Sequence, residues 1–347
     1  MVTMTDVAKA AGVSRATASY ALRGDPRITP ATADKVRQAA LDLQYTANLS
    51  ARSLRSGRNG VIGVAIFELD KPYGAELSAA ISREATKHGM ETIVQQTSNS
   101  KEREISILQK VTSQLCDGTI FTANNVSVEE IKALYGGKPL ILLDDISDDP
   151  LFDCVFTPCE EGAAAAIRHL IDIGCRNIGV VGVDYQALVD DRQSTSVSGR
   201  RLAGALKAFD EADMDVNERH FIPVEAWSTD NARLAAHELA SREQPFDGLF
   251  CMTDSLALGV IRGFADCGVR VPEDVAVIGF DGINEDEYSV PSLTTIQTDR
   301  DDLAHKAVQL LLNRLDEDAN DLPQDQRASA QRLTAGFALV QRESTRR

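Results

Sequence analysis

The stretch TDVAKAAGVSRATASYAL, residues 5–22, carries the strongest structural signal in this chain. Val7 and Ala11 fall at helical spacing, and Gly12 stands where a glycine ends a helix. Ser14 follows one residue later and can cap a second helix. Two short helices joined by a tight turn that contains glycine predict a helix-turn-helix.

The residues on either side extend this prediction to three helices. Thr3 and Asp6, three residues apart, are typical of a capping pair at the start of the first helix. Thr29 as the capping residue and Pro30 at the first helical position predict a third helix that ends near Leu43. The N-terminal part of the chain is therefore predicted to be a small, all-helical headpiece.

In a helix-turn-helix, the second helix lies in the major groove of DNA and its first side chains contact base edges. Arg15 and Ala16 occupy those positions, and Tyr20 follows about one turn later. An arginine at this place can bind O6 and N7 of a guanine. The alternative is an ordinary three-helix bundle whose charged residues are merely solvated.

A short basic segment, NLSARSLRSG at residues 48–57, follows the headpiece. A helix of this length is not stable alone in water, but it can order on DNA. Its arginines would neutralise phosphates while Leu54 inserts into a base step of the minor groove. The alternative is a flexible linker in which a leucine occurs by chance.

The distribution of charge supports a DNA-binding N-terminus. The whole chain has a net charge of −16, which argues against indiscriminate binding of nucleic acid. Residues 1–60 hold nine basic and four acidic side chains, a balance of +5, so the rest of the chain carries −21. A basic head on an acidic body predicts that only the head contacts phosphate.

The bulk properties limit the other possibilities. A chain of 347 residues suits two or three domains, and no run approaches the roughly 18–20 apolar residues of a membrane span. The N-terminus shows no signal-peptide pattern, so we expect a cytoplasmic, nucleoid-associated protein without membrane contact. The six cysteines include no Cys-x-x-Cys pair, and no histidine stands at metal-ligand spacing from them, so we expect reduced thiols and no metal site.

From residue 61 onward, β-branched strand-like runs alternate with amphipathic helical stretches. This alternation predicts parallel sheets that are covered by helices on both faces. A pause near residues 145–153 divides the series into two α/β lobes. Because folds of this kind bind ligands in a cleft between lobes, we expect a small-molecule site there.

The sequence lacks the motifs of common nucleotide-dependent and acyl-transfer enzymes. There is no Gly-x-Gly-x-x-Gly after a strand, no Gly-x-x-x-x-Gly-Lys-Ser/Thr loop and no Gly-x-Ser-x-Gly elbow, so we do not expect an enzyme. The acidic pairs Asp144-Asp145 and Asp190-Asp191 favour ligand hydrogen bonding or solvated turns over acid-base catalysis. A transport-type sugar-binding protein would share the two-lobed fold, but the headpiece and the missing secretion signal argue against it.

Two sets of motifs extend over the chain. The N-terminal set is Thr5-Asp6-Val7-Ala8-x-x-Ala11-Gly12-Val13-Ser14-x-x-Thr17, followed by Tyr45-x-x-Asn48-x-x-Ala51-Arg52-x-Leu54. The second set includes Arg201-Leu202-Ala203-Gly204, Thr253-Asp254-x-x-Ala257-x-Gly259 and Ile278-Gly279-Phe280-Asp281. In this combination the chain resembles the lactose/galactose repressor (LacI/GalR) family of bacterial transcriptional regulators over essentially its whole length.

The resemblance implies a fold class and domain boundaries. The fold is an all-α helix-turn-helix headpiece followed by an α/β, two-lobed, periplasmic-binding-protein-like sensor domain with parallel sheets. The implied boundaries are residues 1–46 for the headpiece, 47–58 for the hinge helix and linker, and 59–347 for the sensor. Within the sensor, lobe 1 takes about 59–158 and 297–323, and lobe 2 takes about 159–292 and 327–347.

The resemblance also implies two sets of binding residues. The DNA-binding set is Thr5, Ser14, Arg15, Ala16, Thr17, Tyr20, Asn48, Ala51, Leu54 and Arg55. The effector-binding set is Tyr73, Gly74, Asp145, Arg201, Trp227, Thr253 and Asp281. The chemistry of this second set suits a sugar, because carboxylates accept protons from hydroxyls, arginine donates a rigid fork and tryptophan offers an apolar face to a pyranose.

Two of these effector residues also have plain structural interpretations. Trp227 can be an ordinary core or surface aromatic, and Arg201 can simply pair with an acid across the cleft. Gly74 stands beside Tyr73, where the family commonly has a Phe-like side chain. We therefore expect Gly74 to leave room for a bulkier ligand such as a disaccharide.

The implied function is transcriptional regulation, most commonly repression, by a homodimer that binds double-stranded, pseudopalindromic operator DNA. A small effector between the lobes would control operator affinity. The chemistry above favours a saccharide, although family sensors also bind purines or phosphorylated sugars, and no cofactor is expected. The tail, residues 341–347, is merely polar and has no heptad repeat, so we expect a dimer rather than a tetramer.

Overall fold

The structure, a computed structural model, shows two compact units, Met1–Asn59 and Gly60–Arg347. The residues it describes are 2–22, 24–45, 58–134, 136–144, 151–185, 196–242, 245–320, 322–323 and 326–346. Most of the hinge helix and linker predicted at residues 47–58 lies outside the described residues.

The described part of the first unit contains α1 (Met4–Ala11), α2 (Arg15–Leu22) and α3 (Pro30–Asp42). The capping pair predicted for α1 is present, because the amide of Thr3 donates to Asp6 Oδ2 at 2.9 Å and the amide of Asp6 donates to Thr3 Oγ1 at 3.4 Å. Gly12 ends α1 with a φ of 68°, a left-handed conformation that costs glycine little. The predicted helix-turn-helix is therefore confirmed.

Small side chains let the three helices approach each other closely. Val7 of α1 and Val36 of α3 are fully buried, and Ala18 and Ala21 of α2 pack into the same core. Because α2 buries alanines, its longer side chains are left near the surface.

The second unit contains two six-stranded sheets, one in each lobe. The first sheet holds, in spatial order, β11 (Arg332–Thr334), β5 (Asp153–Phe156), β4 (Leu140–Leu143), β3 (Gly118–Thr122), β1 (Val61–Ile66) and β2 (Glu91–Gln96), all parallel. The second sheet holds β12 (Phe337–Val340), β10 (Thr294–Thr298), β9 (Ala276–Asp281), β8 (Gly248–Cys251), β6 (Ile178–Val181) and β7 (Phe221–Ile222), parallel except for β12. The predicted parallel sheets are therefore confirmed.

Helices pack on these sheets. The first lobe has α4 (Pro72–Lys87), α5 (Lys101–Ser106), α6 (Thr112–Leu115), α7 (Val128–Leu134) and α12 (Arg300–Ala319), with a π-helical stretch, Ile107–Val111, between α5 and α6. The second lobe has α8 (Cys159–Asp172), α9 (Val197–Glu211), α10 (Thr229–Ala240) and α11 (Asp254–Asp266), with 3-10 turns at Glu218–His220, Asn284–Glu287 and Glu343–Thr345. Within the described ranges, no helix combines the length and the apolar character that a membrane crossing needs.

Alternate positions along the strands enter opposite cores. In the first lobe, Val64 and Ile66 of β1 pack into the core shared with α4 and α12, whereas Ala65 packs with Phe121 in a separate core. The second lobe buries one larger core around Phe250. With both faces of each sheet covered, the carboxyl ends of the strands are left as the natural place for polar, ligand-binding side chains.

The chain passes between the lobes after β5, after β10 and after β11. The first crossing agrees with the predicted end of the first segment of lobe 1 at about residue 158, whereas two other predicted boundaries, and the interpretation of the pause near 145–153 as the division between the lobes, differ from the structure. Arg332–Thr334 joins the first sheet rather than lobe 2, and Thr294–Thr298 joins the second sheet although 297–323 was assigned to lobe 1. The pause near residues 145–153 ends inside the first lobe, because Asp153 already begins β5. Strands of three to five residues with polar members give too weak an apolar signal to place these crossings.

The C-terminal tail is a structural part of the second lobe. Ser344 and Thr345 are buried, although the sequence predicted a merely polar tail. Ser344 Oγ donates to the carbonyl of Val277 at 2.6 Å and accepts from the amide of Thr294 at 2.8 Å. Thr345 Oγ1 lies 2.8 Å from Nε2 of His169. The tail therefore ties β9, β10 and α8 together.

We expect Ser344→Ala to lower the free energy of unfolding by about 1–3 kcal/mol, because Val277 and Thr294 would lose a buried hydrogen-bond partner. Urea unfolding followed by circular dichroism measures the change. Ser241→Ala is the control: its exposed hydroxyl bonds to Glu238 at the end of its own helix, and we expect a change within about 0.5 kcal/mol. Equal effects of the two substitutions would contradict the structural role of the tail.

Candidate functional site

Helix α2 presents the residues predicted to contact bases. Arg15 and Ala16 lie in its first turn and are exposed, and Thr5 of α1 is exposed as well. The buried side of α2 is formed by Ala18 and Ala21. The predicted base-contacting positions are therefore accessible to a large partner.

Ser14 and Thr17, also predicted to contact DNA, form the N-terminal cap of α2. Ser14 Oγ accepts from the amide of Thr17 at 3.0 Å and lies 2.8 Å from Thr17 Oγ1. This is the capping role predicted for Ser14. A helix N-terminus also attracts phosphate, so capping and DNA binding are compatible at this position.

Tyr20 lies beneath a guanidinium that the sequence reasoning missed. The Cζ atom of Arg27 is 4.7 Å from the centroid of the Tyr20 ring, and Arg27 Nη2 is 2.7 Å from Asp25 Oδ2. The hydrogen bonds that Arg27 donates to Asp25 raise the pKa of Arg27, so this positive charge is permanent. The signal that could have found the cluster is the Asp25-Pro26 turn, which brings Arg27 back toward α2.

Five of the predicted site residues lie outside the described residues. They are Asn48, Ala51, Leu54 and Arg55 of the hinge, and Asp145 of the cleft. Their roles therefore stay predictions, and the geometry below is built from the described residues alone.

In the second unit, polar side chains from both lobes meet at the carboxyl ends of strands. Tyr73 lies in the first turn of α4, which follows β1, and Asp144 follows β4. Arg201 lies near the start of α9, and Asp281 ends β9 in the second lobe. Burial, followed by the nearby carboxylates of Asp281 and Asp144, raises the pKa of Tyr73 far above its ordinary value. The structure thus brings three predicted effector residues together.

Arg201 and Asp281 form a buried ion pair inside the second lobe. Arg201 Nη2 donates to Asp281 Oδ1 at 2.8 Å, and Arg201 Nη1 donates to the carbonyl of Met252. The guanidinium carbon stacks 3.7 Å from the ring centroid of Phe280. Arg201 connects the ends of β8 and β9, so the pair holds a donor fork and a carboxylate in fixed positions at the carboxyl edge of the second sheet.

The environment changes the ionisation of Asp281. Burial raises its pKa to about 7, although Arg201 acts in the opposite direction. The residue also has a φ of 124°, an unusual conformation for a side chain other than glycine. A carboxyl group whose pKa is raised by burial, on a residue with an unfavourable backbone conformation, is typical of a functional site.

A second ion pair joins the two lobes directly. Arg200 Nη2 of α9 donates to Asp144 Oδ1 of the first lobe at 2.5 Å. Asp144 also accepts from the amide and hydroxyl of Thr157, at 2.8 and 2.9 Å. The sequence reasoning considered Asp144 only as a general acceptor and missed Arg200, whose signal was the doubled arginine at the start of a helix.

A third ion pair lies within the first lobe and is hydrogen-bonded to the second lobe. Glu76 Oε2 of α4 lies 2.9 Å from Nη2 of Arg300, and Glu76 Oε1 accepts from the amide of Asn284 at 3.0 Å. Arg300 Nη1 donates to the carbonyls of Gly282 and Asp281, at 2.6 and 3.1 Å. The turn that carries Asp281 is therefore held from the first lobe as well as from the second.

Several buried polar groups near these strand ends have no hydrogen-bond partner among the described residues. They include the hydroxyls of Tyr73, Thr97 and Thr122 and the Nε atom of Arg200. Thr97 follows β2 and Thr122 ends β3, both at the carboxyl edge of the first sheet. Buried donors and acceptors normally find partners, so a concentration of unpaired ones is what a polar ligand would satisfy.

Thr253 and Trp227 have structural roles in the second lobe. Thr253 Oγ1 accepts from the amide of Leu256 at 3.2 Å and so caps α11. Trp227 is half-buried against the core of this lobe, and its indole nitrogen donates to the carbonyl of Gly182 at 2.8 Å. The polar edge of the indole is therefore engaged by the backbone, and only the apolar faces of the ring remain for stacking.

The expectation that Gly74 leaves room for a bulkier ligand is wrong. Gly74 is buried in α4, and a Cβ atom placed there would lie 2.1 Å from the carbonyl oxygen of Glu68. The missing side chain is therefore required by the close approach of the chain after β1, not by the size of a ligand.

A helix-turn-helix unit followed by a two-lobed α/β unit of parallel sheets defines a class of bacterial DNA-binding regulators. Residues 3–48 match the model for bacterial regulatory proteins of the lacI family, and residues 167–345 match the model for the periplasmic binding protein-like domain. The chain belongs to the LacI family of bacterial regulatory proteins. This finding confirms both the family resemblance and the fold class expected from the sequence.

Relatives of the chain are transcriptional regulators. It is 29% identical over 328 residues to the HTH-type transcriptional repressor PurR of Pasteurella multocida (strain Pm70), covering 92% of this chain and 94% of that protein. The lac repressor dimer bound to operator and the anti-inducer ONPF superimposes with a TM-score of 0.78, 25% identity and 99% coverage of both chains. A LacI family transcriptional regulator of Enterococcus faecium with bound ribose gives a TM-score of 0.65 at 26% identity, covering 82% of this chain and 98% of that one.

We expect Gly74→Ala to destabilise the second unit by about 1–3 kcal/mol, because the added methyl group would overlap the backbone of Glu68. Thermal unfolding measures the loss. Gly136→Ala is the matched control, since its new Cβ would meet no atom within 4 Å, and we expect a change below about 1 kcal/mol. If Gly74→Ala were as stable as the control, the close approach would be refuted, and Gly74 could again be explained by space for a bulkier ligand.

Proposed function

We propose that this protein is a transcriptional repressor that binds a pseudopalindromic operator as a homodimer. A small polar effector, in our proposal a saccharide, controls its affinity for DNA from the cleft between the lobes. The named activity of PurR and the operator complex of the lac repressor dimer support the DNA-binding part of this proposal. The exposed first turn of α2 supplies the surface for it.

The observation that carries the effector part is the set of unpaired, buried polar groups beside the ion pair of Arg200 and Asp144, which joins the lobes. Tyr73 and Thr122 come from the first lobe and Arg200 from the second. A ligand that satisfies all three contacts both lobes at once. It therefore favours one arrangement of the lobes over others, which is the differential binding that any allosteric control requires.

The chemistry of the cleft supports a polyhydroxylated ligand. Asp281 and Asp144 can accept protons from hydroxyl groups, while Arg201 can donate. Tyr73, whose raised pKa keeps it protonated, can both donate and accept. The ribose-bound relative from Enterococcus faecium supports a sugar as well. Purines and phosphorylated sugars are the alternatives that a binding experiment separates.

We propose that the remaining effector residues act on the ligand in different ways, some directly and some through the surrounding structure. Trp227 would stack an apolar face of its ring on the sugar, since its indole nitrogen is already bonded. Thr253 would act mainly through the capped start of α11, and Asp145 is proposed from the resemblance alone. Gly74 would shape the path of the chain beside Tyr73 without contacting the ligand.

Trp227 is the only tryptophan, so intrinsic fluorescence reports on one place in the chain. We expect a saturable fluorescence change when one mono- or disaccharide is titrated into the protein, because a sugar stacked on the indole changes its surroundings. Sugar phosphates and purines are titrated in parallel. The melting temperature should rise with the same ligand, since binding to the folded state stabilises it. If no sugar changes the fluorescence or the melting temperature, and a purine changes them, the saccharide assignment is wrong.

For DNA binding, we expect Arg15→Ala to weaken operator affinity roughly 10- to 100-fold and to relax the preference for one base, because a bidentate contact to guanine is lost. The operator is first selected from a pool of randomised palindromes, and affinity is measured by fluorescence anisotropy at fixed salt. Arg37→Ala removes the same charge from an exposed arginine of α3 that pairs with Asp34, and it should cost much less. Equal losses for both variants would mean that Arg15 contributes only charge.

A further inference from the structure

Two carboxyl groups lie side by side in the interior of the second lobe. Asp254 is the first residue of α11, and Asp286 belongs to the 3-10 turn Asn284–Glu287. Both residues are 0% exposed to solvent. Their carboxyl groups are within hydrogen-bonding reach of each other. Neither residue belongs to the effector site described above.

Asp254 has its oxygens occupied by donors. Asp254 Oδ2 accepts from the amides of Gly282 and Ile283, at 2.5 and 3.1 Å. Asp254 Oδ1 accepts from the hydroxyl of Thr295 at 2.6 Å. Burial raises the pKa of Asp254, and these three donors act in the opposite direction by stabilising its ionised form. They also tie the start of α11 to the turn directly after Asp281.

Asp286 differs from Asp254 in its hydrogen bonding. Neither of its carboxyl oxygens receives a hydrogen bond from the described part of the chain. Besides Asp254, the charged groups that act on it are Arg342 and Asp281. Two ionised carboxylates in contact without water would repel each other, and each would have lost its hydration. A proton on Asp286 removes the repulsion and turns the contact into a hydrogen bond to Asp254.

We propose that Asp286 is a positioning residue that keeps its proton in the folded protein and donates it to Asp254. The donated proton completes the hydrogen bonds of Asp254, which in turn holds the amides of Gly282 and Ile283. Those amides follow Asp281 directly, so the proton on Asp286 fixes the direction of the carboxylate that meets Arg201. The consequence for effector binding rests on the proposed function, whereas the protonation itself does not.

The proposal has a definite sign in its dependence on pH. An aspartate in an unfolded chain has a pKa of about 3.9. Burial, followed by the charge of Asp254, raises the pKa of Asp286 in the folded protein to about 10. Between these values the folded chain holds one proton more than the unfolded chain at this residue. The stability that Asp286 contributes is therefore fully present below a pH of about 4 and decreases until about pH 10.

The test compares wild type with Asp286→Asn, which keeps a donor toward Asp254 but cannot titrate. The free energy of unfolding of the full-length chain is measured in urea at pH 6, 7, 8 and 9. We expect the unfolding equilibrium constant of wild type, relative to that of the variant, to rise about tenfold per pH unit. A ratio that does not change with pH would show that Asp286 gains no proton on folding, and the proposal would fall.

Two further variants serve as controls in the same experiment. Glu287→Gln removes an exposed carboxyl group from the same turn and should follow wild type at every pH. Asp286→Leu removes both the charge and the donor, so it should unfold more easily than Asp286→Asn at neutral pH. If Asp286→Leu and Asp286→Asn had the same free energy of unfolding, Asp286 would be a packing residue without a positioning role.

A direct measurement protects the test against a variant that does not fold. Infrared difference spectra of the folded wild type at pH 8, with ¹³C-labelled aspartate, separate a protonated carboxyl group from carboxylates. We expect one protonated aspartate band in addition to any contribution from Asp281. Its absence would overturn the proposal. Neither measurement involves an effector, so failure of the sugar titration would leave this inference standing, and the reverse also holds.

Discussion

The arrangement of polar side chains where the two lobes meet depends on the buried ion pair between Arg201 and Asp281. The two side chains are only 3% and 7% exposed, so water solvates neither charge well. Removal of one partner from such a pair leaves a buried charge and costs about 3–5 kcal/mol. The remaining faces of the guanidinium are met by the carbonyl of Met252 and the ring of Phe280. The pair is therefore held at the ends of β8 and β9, and it in turn fixes the carboxyl edge of the second sheet.

Local signals made the headpiece predictable from the sequence. The capping pair Thr3–Asp6, the glycine that ends α1 and the serine that begins α2 act over three or four residues, so their chemistry is visible in the order of amino acids. The parallel sheets were predictable for a similar reason, because strands buried on both faces give continuous apolar runs. Helix boundaries and strand runs need no knowledge of distant partners.

The electrostatics of the cleft were less predictable because the partners are far apart along the chain. Arg200 meets Asp144 across 56 positions, and Arg201 meets Asp281 across 80. A sequence shows that such groups exist, but only the fold decides which pairs form. For this reason Asp281 and Arg201 were expected from a family resemblance, whereas Arg200, Glu76 and Arg300 were missed. The prediction for Gly74 was wrong for a different reason. This residue is required by a close approach of the backbone, which no pattern of side chains indicates.

The ion pair that joins the lobes is more exposed than the ion pair inside the second lobe, and this difference affects how easily each pair can be separated. Arg200 and Asp144 have 10% and 17% exposed side chains, more than the pair formed by Arg201 within the second lobe. Water reaches the cross-lobe pair more easily, so separating it costs less than separating a fully buried one. Separation of the lobes would therefore break the pair of Asp144 and Arg200 and leave the pair of Arg201 and Asp281 intact. It would also break the hydrogen bonds that Glu76 and Arg300 make to the turn after β9. In the function we propose, an effector whose oxygens replace Asp144 on Arg200 would lower the cost of that same step and so change lobe position without disturbing either core.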